Sequence, residues 1–167
     1  MWNIPFSGLS VALGGVTTDV IKDTPPLCTL ADNIMRDTIR LANDDILYKL
    51  GPEKGAKYVL DPVQVRQYCW DLTDNMGSYK TSTAIDLATN SEMEIEYMFS
   101  NVLDCAIYHS NRHTGTDHIG QNYDPLFTWN AYPYVESVIR SVQGVAVIAA
   151  LKRRGNVPWT PSLFGDI

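Results

Sequence analysis

The stretch TPPLCTLADNIMRDTIRLANDDILYKLG, residues 24–51, decides the fold class of this chain. Pro25 and Pro26 after Thr24 are typical of a helix start, because the first turn of a helix leaves its N–H groups unpaired and proline has none. Gly51 predicts the end of the helix, because glycine readily adopts the left-handed conformation found there. Apolar residues recur at helical spacing through the stretch: Leu27, Leu30, Ile34, Leu41 and Leu50. The pattern predicts one long amphipathic helix.

Two further helices have boundaries of the same kind. Residues 3–13 are largely apolar and end at Gly14 and Gly15, where glycine adopts the left-handed conformation that stops a helix. Asp61 before Pro62 is a typical capped start, and Gly77 marks the end of that segment. We predict helices over residues 3–13 and 62–76.

The second half of the chain adds a short segment, residues 82–88, and two helices. Ser91 and Glu94 have the spacing of a capping box, which predicts a helix from there to about residue 110. Pro133 begins a last helix, whose apolar residues we expect to be buried: Val135, Val138, Ile139, Val142, Val145, Ile148 and Leu151. Since no segment alternates with period two, we predict an all-α bundle of five to six helices, with one domain over residues 1–155 and a tail over 156–167.

Composition excludes several classes of function. The chain has 13 Lys and Arg against 19 Asp and Glu, a net charge of -6 and a pI near 4.9, so we expect no nucleic-acid partner. The longest apolar run, residues 145–151, is far shorter than the roughly 20 residues of a membrane span. Three widely spaced cysteines fit neither a disulfide framework nor a zinc motif. We expect a cytoplasmic protein with no membrane contact.

Two segments carry a resemblance to a known family: WNIPFSGLS at residues 2–10, and KTSTAID at 80–86 continuing to EMEIEY at 92–97. In that order and spacing they resemble the C-terminal domain of the ketopantoate reductase (2-dehydropantoate 2-reductase) family. The resemblance implies a 6-phosphogluconate dehydrogenase C-terminal-domain-like fold, which packs on a nucleotide-binding domain and closes the substrate site.

The resemblance also assigns site residues. Asn3 matches the first of two family asparagines, Ser82 the serine that contacts substrate and Glu94 the site glutamate, whereas Ser7 replaces the second asparagine. The family's catalytic lysine would lie four residues before Asn3, ahead of Met1. Since the chain also has no G-x-G-x-x-G motif after a strand, we expect no cofactor on it.

We take Ser82 and Glu94 as candidate catalytic residues. Structural roles compete with these assignments, because Glu94 could serve the capping box, Ser82 could cap the short segment and Asn3 could be a cap or a surface residue. Candidate substrate-binding residues are Asn3, Ser7, Asp86, Tyr97, His113 and Trp129.

A metal site is not expected. His109, His113 and His118 with Asp117 resemble a ligand cluster, but nothing in the sequence places His118 or Asp117 on the helix face of the other two. The polar loop over residues 111–130 would be a lid over the site or a surface excursion.

Three functions fit these observations. The first is a cofactor-independent enzyme that cyclises, isomerises or rearranges a largely apolar small molecule in a helical pocket, plausibly in secondary metabolism. The second is the substrate domain of an NADPH-dependent 2-dehydropantoate 2-reductase. The third is a non-catalytic ligand-binding or dimerisation module, because the apolar last helix also suits a homodimer interface.

Overall fold

The computed structural model describes residues 1–113 and 131–155, and every regular element in these two ranges is helical. The elements are α1 (Asn3–Ala12), α2 (Thr18–Asp23), α3 (Pro25–Leu50), α4 (Pro52–Gly55), α5 (Pro62–Asp74), α6 (Ser82–Ala88), a π-helix (Glu96–Ser100), α7 (Asn101–His113) and α8 (Pro133–Arg153). The all-α prediction is confirmed, but the described helices outnumber the five to six predicted, because α2 and α4 are too short to show an apolar period.

The strongest helix signals of the sequence hold in the structure. Helix α3 begins at Pro25 and ends before Gly51, whose φ of 75° lies in the left-handed region. At the start of α5, the Asp61 carboxylate accepts hydrogen bonds from the backbone N–H groups of Val63 and Gln64, at 2.8 and 3.1 Å. Residues at the helix ends themselves therefore determine the start and end of α3 and the start of α5.

Helix α1 lies at the centre of the molecule. Every residue from Ile4 to Val11 is buried, and the helix packs against α2, α3, α6 and most of all α8. The Phe6 ring stacks on Trp2 at a centroid distance of 5.1 Å and meets the Trp70 ring edge-on at 5.4 Å. The residues that resemble the family's first motif thus form the core, with Asn3 at their exposed edge.

Helices α1 and α8 are in tight contact at Gly8. A Cβ atom at position 8 would lie 3.0 Å from Cγ2 of Val138 and 3.5 Å from the Phe99 ring. Only a glycine leaves room for this contact without a shift of α8. The small residue therefore sets the distance between the two helices.

Most of the buried residues of α8 lie in its first half, and Ala149 is the exception. Val135, Val138, Ile139 and Val142 lie in the core, whereas Ile148 is 51% exposed, so its predicted burial is wrong. The described residues simply do not cover this part of the helix. With a mean hydropathy of 1.4, α8 is long and apolar enough to cross a membrane, but a core helix passes the same test, so the expected absence of membrane contact stays a prediction.

The predicted capping box is also wrong. Ser91 completes the turn after α6 instead, since its N–H group donates to the Asp86 carbonyl at 2.8 Å after Asn90 has taken a positive φ of 57°. Glu94 is exposed and outside any helix. The following helix begins at residue 96 as a π-helix, with no side-chain cap at Ile95.

We expect Gly8→Ala to lower the free energy of unfolding by about 1 kcal/mol, because the added carbon meets the stiff side chain of Val138 in a packed core. The matched control is Gly144→Ala in α8, where a Cβ atom meets none of the described residues within 4 Å. Alanine should raise the free energy there by about 0.5–1 kcal/mol. Urea unfolding of both variants measures the difference, and equal stabilisation by the two would contradict the tight contact.

Candidate functional site

Four of the residues assigned from the sequence are exposed and unpaired. They are Asn3, Ser82, Glu94 and Tyr97, which we call the polar set. Within the described residues, none of their side chains makes a hydrogen bond or an ion pair. The Tyr97 side chain is 77% exposed. These groups are therefore free to bind a ligand or another protein surface.

Asn3 is the first residue of α1, but it does not cap the helix. The cap position is Trp2, which makes no side-chain cap hydrogen bond and instead donates from Nε1 to Oγ1 of Thr73 at 2.9 Å. The indole fixes the start of α1 against α5, so the Asn3 amide projects from a rigid helix end. A structural role for Asn3 as a cap is excluded by this geometry.

Ser82 does not cap a helix either. Thr81 caps α6, because its Oγ1 accepts from the N–H group of Ala84 at 3.3 Å, and Ser82 is the next residue, exposed at the first helical position. Thr83 in turn lies 3.8 Å from the sulfur of Met98 in the π-helix. Helix α6 and the π-helix are therefore in contact, and α1 packs against both.

A groove of about 530 Å³ lies along residues 92–97. It is open to solvent, and its lining alternates apolar and acidic residues: Glu92, Met93, Glu94, Ile95, Glu96 and Tyr97. Two members of the polar set, Glu94 and Tyr97, belong to it. Glu92 and Glu96 are not among the residues predicted from the sequence, although the alternation of glutamates with apolar residues is visible there.

The lining of the groove restricts the ligand. Its three carboxylates accept hydrogen bonds and repel anions, while Met93, Ile95 and the Tyr97 ring offer apolar contact. Among the described residues, no lysine or arginine lines the groove. A hydroxyl-bearing ligand suits the groove by itself, and an anionic ligand needs positive charge from elsewhere.

The other assigned residues lie in different surroundings. Ser7 is only 2% exposed, inside the core around α1, so its hydroxyl is out of reach of a ligand at the surface. Asp86 is half-buried on α6. The side chain of His113 and the residues Asp117, His118 and Trp129 lie outside the described part of the chain, as does the tail over 156–167. Of the predicted lid, residues 111–113 belong to α7 and the rest lies outside the described residues.

Comparison with known families gives one match. The family model described as ketopantoate reductase PanE/ApbA C terminal matches residues 1–113. The match includes all four members of the polar set and ends before α8 begins. The chain matches no curated protein and no solved structure.

Thr81→Ala should lower the free energy of unfolding by about 1 kcal/mol, because the N–H group of Ala84 loses its cap. Ser82→Ala, one residue away and exposed, should change it by less than about 0.5 kcal/mol. Thermal or urea unfolding of the pair provides the measurement. A larger loss at Ser82 would mean that this residue has a structural role after all.

Proposed function

The chain belongs to the family of ketopantoate reductase C-terminal domains, and from this premise we propose that it supplies the substrate-contacting half of a two-part reductase site. The other half is a nucleotide-binding domain on a further segment of chain or on a separate chain. The substrate proposed is 2-dehydropantoate or a related keto acid that bears a hydroxyl group.

The observation that carries this proposal is the unpaired polar set on a rigid frame. Asn3 and Ser82 offer donors, Glu94 offers an acceptor, and all three lack partners within the described residues. Helix termini that are held by Trp2 and Thr81 keep the donors in place. Such an arrangement suits groups that hydrogen-bond a ligand once a second surface excludes water.

The charge of the groove supports a two-part site. A keto acid carries a carboxylate, and three glutamates along the groove would repel it if the chain bound it alone. The hydride donor would come from the nucleotide-binding half, and the positive charge would come from outside the groove. The chain would then orient the hydroxyl end of the substrate through Ser82 and Glu94.

A cofactor-independent enzyme is a second candidate, favoured by the size of the groove. A volume of about 530 Å³ lies within the range of small-molecule sites, which is roughly 300–1,000 Å³. A cyclisation or isomerisation there would use Glu94 or Tyr97 to polarise a carbonyl or to take a proton. The open, acidic lining is less suited to a largely apolar substrate than an enclosed pocket would be.

A homodimer through the second half of α8 completes the proposal. Val147 and Ile148 are 59% and 51% exposed on the same helix. Large apolar side chains that are exposed side by side suit burial against a second copy of the helix. The same pairing would leave the polar set free, because that set lies on other elements.

Ser82→Ala should weaken binding of 2-dehydropantoate to the ¹⁵N-labelled chain, combined with a nucleotide-binding domain of this family and NADP⁺, by roughly three- to tenfold, the effect of losing one hydrogen bond. In the unaltered chain we expect amide shifts at Asn3, Ser82, Glu94 and Tyr97. Ser137→Ala, an exposed serine on α8, is the control.

Shifts confined to other surfaces, or equal effects of the two serine variants, would contradict the two-part site. Conversion of a small molecule by the chain alone, without NADPH, would instead favour the cofactor-independent enzyme. The two candidates therefore give different results.

For the dimer, we expect light scattering to give twice the chain mass of 18.7 kDa and Ile148→Lys to give the single-chain mass. A charge buried at an apolar interface opposes association. Val63→Lys on α5, where the valine is 72% exposed, is the control and should leave the dimer intact. A single-chain mass for the unaltered protein would exclude this interface.

A further inference from the structure

Three side chains of different chemistry meet between α3 and α7, away from the polar set. They are Asp45, Cys105 and His109, which we call the Asp–Cys–His cluster. One carboxylate oxygen, the cysteine sulfur and one ring nitrogen all lie within 4.8 Å of one another. Cys105 and His109 are four residues apart on α7 and so share a helix face, and α3 packs against α7.

Packing holds the imidazole of His109 in this cluster. The residue is 3% exposed, and its Nε2 atom lies 3.2 Å from Oδ1 of Asp45. The rings of Tyr48 and Tyr108 meet it edge-on at 5.7 and 5.3 Å, and the Tyr108 hydroxyl donates to the Tyr48 hydroxyl. Since both tyrosines are about half exposed, the cluster lies close to solvent.

Two cations stand near the cluster. The Lys49 ammonium lies 2.8 Å from the second carboxylate oxygen of Asp45, and the Arg112 guanidinium lies 3.9 Å from the centre of the Tyr48 ring. The Lys49 side chain is 66% exposed, so it can move into water when another cation takes its place.

Cysteine beside histidine and aspartate is also the composition of a nucleophilic site, but the electrostatics oppose that function. Burial and the neighbouring Asp45 carboxylate raise the pKa of the Cys105 thiol to about 11. Nucleophilic cysteines have lowered pKa values, because the thiolate is the reactive form. The same negative carboxylate that disfavours a thiolate favours a bound cation.

We infer that the Asp–Cys–His cluster binds one Zn²⁺ ion, through an oxygen of Asp45, the sulfur of Cys105 and a ring nitrogen of His109. Carboxylate, thiolate and imidazole are the ligands that zinc uses, whereas Mg²⁺ and Ca²⁺ take oxygen ligands. Zinc bond lengths place tetrahedral ligand atoms about 3.3–3.6 Å apart, so atoms now within 4.8 Å move together by about 1 Å.

The proposed site has three protein ligands. A fourth position would be taken by water or by a group of another molecule, as in zinc sites that exchange ligands rather than only hold a fold. On binding, the metal displaces the thiol proton, and the ammonium of Lys49 gives up its place beside Asp45.

The test uses the tag-free full chain, stripped of metal with a chelator and titrated with Co²⁺, a spectroscopic substitute for zinc. We expect one Co²⁺ per chain, a thiolate-to-metal charge-transfer band and displacement by Zn²⁺. Cys105→Ser should remove that band and weaken Zn²⁺ binding by at least about tenfold. Cys28→Ser, at a half-buried cysteine of α3, is the matched control and should bind as the unaltered chain does.

A variant at the surface tests the zinc site without a change to the packed core. Lys49→Gln removes the competing ammonium without touching the core, and should tighten Zn²⁺ binding by roughly two- to fivefold. Circular dichroism in chelator confirms that each variant is folded. The absence of a charge-transfer band, the same band in Cys105→Ser, or no change in Lys49→Gln would each overturn the zinc site and leave an ion-pair cluster between α3 and α7.

Discussion

The packing of α1 against α8 at Gly8 is the contact on which the rest of the molecule depends. A helix of ten residues is marginal by itself in water, so α1 exists because its neighbours bury it. A glycine opposite Val138 lets the helix axes approach, and Phe6, Leu9 and Val11 then fill the space around it. Helix α8 lies beyond residue 113, where the family match ends, and still completes the core of the matched region.

Helix boundaries could be predicted where they depend on residues within one turn, and could not where they depend on a neighbouring element. The ends of α3 and the start of α5 were predictable, because proline, glycine and Asp61 act within one turn of chain. The capping box failed for the opposite reason. Ser91 has the right spacing to Glu94, but α6 ends just before it, and the competing hydrogen bond to the Asp86 carbonyl depends on how that helix terminates.

The candidate site was predictable only through family resemblance. Neither the composition nor the apolar period of the sequence distinguishes Asn3 or Ser82 from other polar residues. In the structure they stand out because their side chains have no hydrogen-bond partner within the described residues. Ser7 was assigned from the same resemblance and is buried, because neighbouring helices surround α1 from Ile4 to Val11. The Asp–Cys–His cluster could not be predicted, since Asp45 and His109 are 64 residues apart and meet through the packing of α3 on α7.

The sequence separation of α1 and α8 also affects how the chain folds during its synthesis. About 120 residues separate the two helices, so at 5–20 residues per second the synthesis of α1 ends roughly 6–24 s before that of its main partner begins. During that interval α8 is not available to bury α1, an apolar helix that is buried on nearly every side in the folded protein. The nascent chain therefore depends on early packing of α1 against α3, or on a chaperone, to keep its first helix from aggregating.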